Sequence, residues 1–212
     1  PYSIKNWDRT AFESDKYGRN FLGTPPQGRA DYAFFQHILK SMNPVTGRCA
    51  ILFPHGVLFR GEEQEMRENL VRADMIECVL GIGRNLFYNS PMEACIIICR
   101  TNKPAERKNK ILFINAKHEV TRKNAQSYLE ESHIKKIADA YAKDEEIDKF
   151  SKIVPINDVL ANEGELTISL YLPEENTDEI VTVEEAVDSW SEISERTANE
   201  YRKLTKMIKG GE

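Results

Sequence analysis

Few residues in this chain are placed to do chemistry. Two short aromatic stretches stand out: Pro1-Tyr2 at the start, and Phe87 with Tyr88 inside NLFYNSPMEAC, residues 85–95. The second lies among Gly, Asn and Pro between two apolar runs, which places it on a loop. An aromatic side chain on such a loop either grips a flat ligand by stacking or folds back onto the core, and the sequence leaves both open. Other chemistry finds no support. There is no G-x-G-x-x-G, no phosphate-binding P-loop and no G-x-S-x-G. His37, His55, His118 and His133 have no metal-ligand spacing. Cys49, Cys78, Cys95 and Cys99 fall in apolar runs without a C-x-x-C pair, so they read as core thiols of a reducing compartment. His37 reads as a structural or surface helix residue. His55 follows a strand end, where α/β folds place functional groups, but reads as a turn residue. Asp31 opens a helix, where a carboxylate suits the dipole without further role.

The bulk properties bound the possibilities. The chain has 212 residues, 41% hydrophobic and 30% charged, which suits an ordinary globular core. Mean hydropathy is −0.52, and the longest apolar run, ACIIIC from Ala94, is too short to span a bilayer. The cytosol is the expected compartment. A net charge of −5 argues against a self-sufficient nucleic-acid binder of the basic kind. The charge is uneven: 100–123 is locally basic, with Lys103, Arg107, Lys108, Lys110, Lys117, Arg122 and Lys123, whereas 174–200 is acidic.

These residues must be positioned by regular elements. Residues 3–29 show no sustained period and carry loop punctuation. Helix is expected from Arg29 to Asn43, with Ala30, Phe34, Ile38 and Met42 four apart and Phe35 and Leu39 alongside. Strands are expected near 48–53, 75–80, 94–100 and 111–116, with a short helix over 62–72 and another carrying Leu129, Ile134, Ile137 and Tyr141. Strands alternating with helices argue for a parallel sheet. The connection between the second and third strands is too short for a crossover helix, so that pair should be antiparallel. The third, apolar on both faces, should be interior. Short extended pieces are expected around Ile153-Val154 and in LTISLYL (166–172). Thr182 and Glu185 form a capping-box signature. Behind them Val183, Val187, Trp190, Ser194, Thr197, Tyr201, Leu204 and Ile208 alternate four and three apart, a heptad seam with a polar middle. It either lies on its own domain or is offered to another chain.

Several blocks in order, GRADYAFFQHIL (28–39), PHGVLFRG (54–61), MRENL (66–70), LFYNSPMEACIII (86–98) and NEGELTISLYL (162–172), resemble the modification (M) subunits of type I restriction–modification systems, the N6-adenine DNA methyltransferases. The resemblance covers most of the chain. That family's catalytic motif is Asn-Pro-Pro-Tyr/Phe, and Pro1-Tyr2 resembles its last two residues. The chain is then expected to be the C-terminal part of an M subunit, with the Asn, the first Pro and the glycine-rich S-adenosylmethionine motif upstream, and to be inactive alone. The resemblance implies that Pro1 and Tyr2 belong to the catalytic motif, that Tyr2 stacks on a flipped adenine, and that Phe87 stacks on its other side. It implies S-adenosylmethionine as cofactor, double-stranded DNA as substrate, and a DNA-specificity subunit and a restriction subunit as partners, with no membrane.

The expected fold is α/β: the C-terminal half of a Rossmann-like methyltransferase sheet ending in an antiparallel hairpin, plus a helical extension. Residues 1–145 would complete the catalytic domain, 146–181 form an extended segment and acidic linker, and 182–209 a partner-binding helix presenting Val187, Trp190, Tyr201, Leu204 and Ile208. Arg107, Lys108 and Lys110 are candidate DNA-backbone contacts, although a solvated loop is the preferred reading of this stretch. The inner edge of the half-sheet should be prone to self-association. The alternative is a non-catalytic interaction module that keeps the hairpin sheet and the heptad helix.

Overall fold

In the computed structural model, the N-terminal stretch is ordered by side-chain bonds rather than by periodicity. The structure describes residues 2–87, 90–124, 126–173 and 183–209, with side chains of the last helix from 187 to 208. Pro1, Tyr88, the stretch 174–181, the cap Thr182 and the side chains of Val183 and Glu185 lie outside the described residues. Asp8 caps α1 (Arg9–Glu13) by accepting the Ala11 N–H at 2.8 Å. Trp7 Nε1 donates to the Gln27 carbonyl at 3.0 Å, and Gln27 Nε2 donates to the Lys5 and Trp7 carbonyls at 2.9 and 3.1 Å. Such bonds satisfy backbone groups that no ladder reaches.

Helix α2 (Asp31–Ser41) keeps most of its expected apolar face toward the core, with Ala30 before it buried and Met42 after it partly so, but turns Phe34 outward. Tyr32, Phe35, Gln36 and Leu39 face inward, whereas Phe34 is exposed. The reason is tertiary. Phe35 packs on Phe53 of β1 (Arg48–Pro54) at 5.0 Å between ring centroids. Buried Gln36 accepts the Leu22 N–H at 2.7 Å and donates to the Gly23 carbonyl at 2.9 Å, which fastens the preceding loop.

After β1 come a 3-10 turn (His55–Leu58), α3 (Gln64–Arg72), β2 (Ile76–Ile82), β3 (Ala94–Arg100) and β4 (Lys110–Ala116). A two-stranded hairpin follows, β5 (Thr121–Lys123) with β6 (Gln126–Tyr128), then α4 (Glu131–Lys143), β7 (Ser151–Pro155), α5 (Ile156–Ala161) and α6 (Ile168–Tyr171). The main sheet has five strands in the order β1-β3-β2-β4-β7. As expected, β2 and β3 are antiparallel and β3 is interior. The sheet is nevertheless mixed: of its pairings only β2 with β4 is parallel. β3 is inserted between β1 and β2, so those two co-directional strands never touch.

Both faces of the sheet are covered, and the strands alternate between two cores. On β4, Ile111 and Phe113 point to the core under α2, α3, α5 and α6, while Leu112, Ile114 and Ala116 point to the core under α4. Within 166–172, expected to be extended, residues Ile168–Tyr171 form α6 instead. One helical turn lets Ile168 and Tyr171 both reach the sheet, Tyr171 lying 4.3 Å from Phe113 between centroids.

The chain divides into two compact units, Pro1–Glu174 and Glu175–Glu212. The second holds α7 (Val183–Lys209), one continuous helix. Its seam residues Val187, Trp190, Tyr201, Leu204 and Ile208 are all exposed, Trp190 at 70% and Tyr201 at 71%.

Candidate functional site

Strand polarity decides which candidate residues share an end of the sheet. β1 and β2 are each antiparallel to β3 and β4 is parallel to β2, so the carboxyl ends of β1, β2 and β4 lie together. Such ends are where α/β sheets hold ligands. Tyr2 and Phe87 are both at this end. The Tyr2 hydroxyl donates to the carbonyl of Leu52, near the end of β1, at 2.9 Å, and its ring is half exposed. Burial, and after it neighbouring Cys95 and Asp31, raise the Tyr2 phenol above its ordinary value, so it keeps the proton it donates. Phe87 follows β2, forms an isolated bridge with Ser90, and rests partly buried against the core that includes Leu80 and Ala94.

The loop carrying Phe87 is fastened at its base. Asn85 adopts the left-handed conformation at φ 60°, a turn that Asn tolerates better than most residues. Its carbonyl accepts the Ser127 N–H at 2.8 Å, which ties the β5–β6 hairpin to the loop. Glu93 closes the far side. It accepts from Arg84 Nε at 2.7 Å and lies 3.9 Å from both His55 Nδ1 and Lys117 Nζ. Burial pushes the Glu93 carboxyl up, but the Arg84 bond and the nearby Lys117, Arg84 and His55 more than reverse this, so its pKa is lowered. His55 is shifted down, chiefly by burial and further by Lys117, against the opposing pull of Glu93. Its buried Nε2 has no hydrogen-bond partner among the described residues. His55 is the turn histidine expected, and it opens the 3-10 turn after β1 with its ring near Glu93 at the base of the Phe87 loop.

The basic stretch is split between opposite ends of the sheet. Arg107, Lys108 and Lys110 precede or begin β4 and so lie at its amino end, away from Tyr2 and Phe87. Arg107 is also saturated by protein partners: Nε donates to Asp144 at 2.7 Å, one terminal nitrogen to the Tyr141 carbonyl at 2.6 Å, and the other lies 3.1 Å from Glu77. Lys108 and Lys110 are exposed. Arg122 and Lys123, on the hairpin that follows β4, are exposed at the carboxyl end. Three charged residues bonded at this end were not singled out from sequence for these contacts: Asp31, Arg60 and Glu93. Asp31 was visible only as a helix-opening carboxylate, and nothing in the spacing pairs it with Arg60, 29 residues away.

The described residues do not form a cradle for a nucleoside cofactor. The carboxylates near this end, Asp31 and Glu93, are not free to hold ribose hydroxyls, being bound to Arg60 and Arg84. No glycine-rich loop follows β1, β2 or β4. Among the described residues no group of His, Cys, Asp and Glu has the geometry of a metal site, and no helix is long and apolar enough to cross a membrane.

A mixed sheet with an antiparallel strand inserted between co-directional neighbours, and with helices on both faces, defines an α/β domain. The chain belongs to the N-6 DNA methylase family, whose model matches residues 1–180. It is 34% identical over 217 residues to the type I restriction enzyme MjaVIII methylase subunit of Methanocaldococcus jannaschii, covering 99% of this chain and 36% of that protein. It is 36% identical over 181 residues to the MjaVII methylase subunit of the same organism, covering 82% of this chain and 30% of that one. A crystal structure of the type I restriction–modification system methyltransferase subunit from Streptococcus thermophilus superposes with a TM-score of 0.75 at 32% identity, over 81% of this chain and 36% of that one. The chain thus spans about a third of the length of these relatives.

Proposed function

We propose that this chain is the base-holding part of an S-adenosylmethionine-dependent DNA adenine-N6 methyltransferase, the modification subunit of a type I restriction–modification complex. The observation that carries the reading is the placement of Tyr2 and Phe87 at one end of the sheet, on separate elements, each with ring surface exposed or only partly buried. Tyr2 stacks on one face of an adenine turned out of the duplex and Phe87 on the other. Stacking is indifferent to base edges, so the choice of adenine belongs to groups that accept its amino hydrogens. In this reading those groups, and the cofactor site, lie ahead of Pro1. The chain's own residues orient the base and exclude water from it.

Phosphates flanking the base fall to Arg122 and Lys123, which share its end of the sheet, rather than to Arg107, Lys108 and Lys110. The acidic whole and the exposed seam of α7 favour a division of labour in which a DNA-specificity subunit, bound along Val187, Trp190, Tyr201, Leu204 and Ile208, reads the sequence and a restriction subunit joins the assembly. The other candidate, a non-catalytic module on the same sheet, has no specific observation in its favour.

The test is to express the gene carrying this chain with its neighbouring subunit genes in cells lacking adenine methylation, and to map N6-methyladenine across the genome. Methylation at one recurring sequence is expected. Tyr2→Ala and Phe87→Ala should each slow it by about 5- to 150-fold, the range set by the ~1–3 kcal/mol of one base–aromatic stack. No methylation by the parent, or undiminished methylation by both variants, refutes the reading.

A further inference from the structure

The chain segment that bears Tyr2 is strained and is held by a buried charge. Ser3 sits at φ 54°, in the left-handed region that costs a residue with a side chain about 1 kcal/mol or more. Three bonds fix the segment. The Tyr2 hydroxyl reaches Leu52, the Ser3 N–H donates to Asp31 Oδ1 at 2.6 Å, and the Ile4 carbonyl accepts the Ala30 N–H at 3.1 Å. Of these only the Ser3 bond is charge-assisted, and it acts on the strained residue itself.

Asp31 is an unusual acceptor. It is 2% exposed, and its second oxygen is spent on Arg60, whose guanidinium donates to Oδ2 at 2.9 Å. The same nitrogen also reaches Glu63 Oε2 at 3.2 Å, and that carboxylate is fully buried. Gly56 makes the room: a Cβ there would stand 2.4–2.7 Å from the Arg60 guanidinium. The 3-10 turn after β1 therefore holds Arg60, Arg60 holds Asp31, and Asp31 holds Ser3. One end of this chain of contacts is at the sheet and the other is beside the Tyr2 ring.

We propose that Asp31, oriented by Arg60, is the positioning residue that fixes the Tyr2–Ile4 segment and with it the stacking ring. The proposal rests on the base-holding reading above, and it assigns a role that a carboxylate merely suiting a helix dipole would not have. An aspartate is required because its two oxygens accept at once from a backbone N–H and a guanidinium. An asparagine accepts at one position only and turns an amide donor toward the other partner.

The experiment compares Asp31→Asn with Glu63→Gln. Both remove a carboxylate from Arg60, and only the first touches Ser3. The readouts are the solvent-exchange rate of the Ser3 amide by NMR on this chain, and kcat and KM for DNA in the assembled enzyme that carries it. The Ser3 amide of the parent should be protected. Asp31→Asn should speed its exchange about tenfold or more, as loss of a charge-assisted bond implies, and lower kcat by about as much with KM for DNA little changed. Glu63→Gln should leave both near the parental values at a temperature where it is folded. A parental Ser3 amide that exchanges like open chain overturns the proposal, and this result needs no variant to fold. So do equal effects of the two variants, or a loosened Ser3 with kcat intact. Absence of methyl transfer in the parent sinks the catalytic part together with the base-holding reading. The exchange difference then separates that failure from a failure of the contact itself.

Discussion

Glu77 offers a large and calculable perturbation at the end of the sheet opposite Tyr2. It is the second residue of β2, its side chain is fully buried, and it faces three arginines: Arg100 and Arg107 at 3.1 Å and Arg48 at 3.7 Å. The Tyr141 hydroxyl donates to it at 2.6 Å. Replacing the carboxylate by an amide in Glu77→Gln leaves the shape and removes the charge. Taking one partner from a buried ion pair costs ~3–5 kcal/mol, because the other charge stays behind. Two features place this case at the low end. Arg48 and Arg100 are partly hydrated, at 48% and 29% side-chain exposure, and Tyr141 still finds an acceptor in the amide oxygen. Arg107, at 14% exposure, carries most of the penalty, with Asp144 as its remaining counter-charge. A loss of about 3 kcal/mol in a unit of this size lowers Tm by roughly 6–12 °C. The assay is thermal unfolding followed by circular dichroism at pH 7. Burial raises the Glu77 pKa, but bonds from Tyr141 and Arg107 and the nearby arginine charges bring it below its ordinary 4.5. Its stabilisation is therefore complete above pH 4.5 and is lost as pH falls through the lowered value. The Tm gap between parent and variant should close in that acid range. A gap under about 3 °C at pH 7, or one that does not narrow in acid, would refute the reasoning.

Three further outcomes follow from the geometry. Replacing Arg122 and Lys123 together by Ala should weaken DNA binding by the assembled enzyme and flatten its salt dependence by about two phosphate contacts, while the same change at Lys108 and Lys110 should do neither; a filter-binding salt titration decides between them. The His55 ring should titrate below 6.5 by NMR, and Glu93→Gln should lower it further by removing the one neighbour that raises it. Because burial depresses its pKa in the fold, His55 contributes stability above pH 6.5 that is lost as pH falls through the depressed value. Trp190→Asp on α7 should abolish co-purification with the specificity subunit and leave the circular dichroism of the chain unchanged, since the Trp190 side chain is 70% exposed.

The sequence by itself determined the local, periodic features. The four apolar runs became strands because each was long enough to cross a two-sided core. The short link between β2 and β3 forced their antiparallel pairing, since it leaves no room for a crossover helix. The heptad seam became one helix, because spacing of four and three is a property of a single element. What required tertiary structure was everything set by distant partners. Alternation within each strand does not reveal that β3 divides β1 from β2, or that β7 closes the far edge of the sheet. The apolar spacing of α2 included both Phe34 and Phe35, and only the fold turns Phe34 to solvent while Phe35 packs on Phe53. The basic run read as one patch, but strand direction sends its two halves to opposite ends. Asp31 and Arg60 each looked ordinary alone. Their meaning arises from a contact across 29 residues, made only when the turn after β1 meets the start of α2, and burial turns an unremarkable pair of charges into the anchor of the Tyr2 segment.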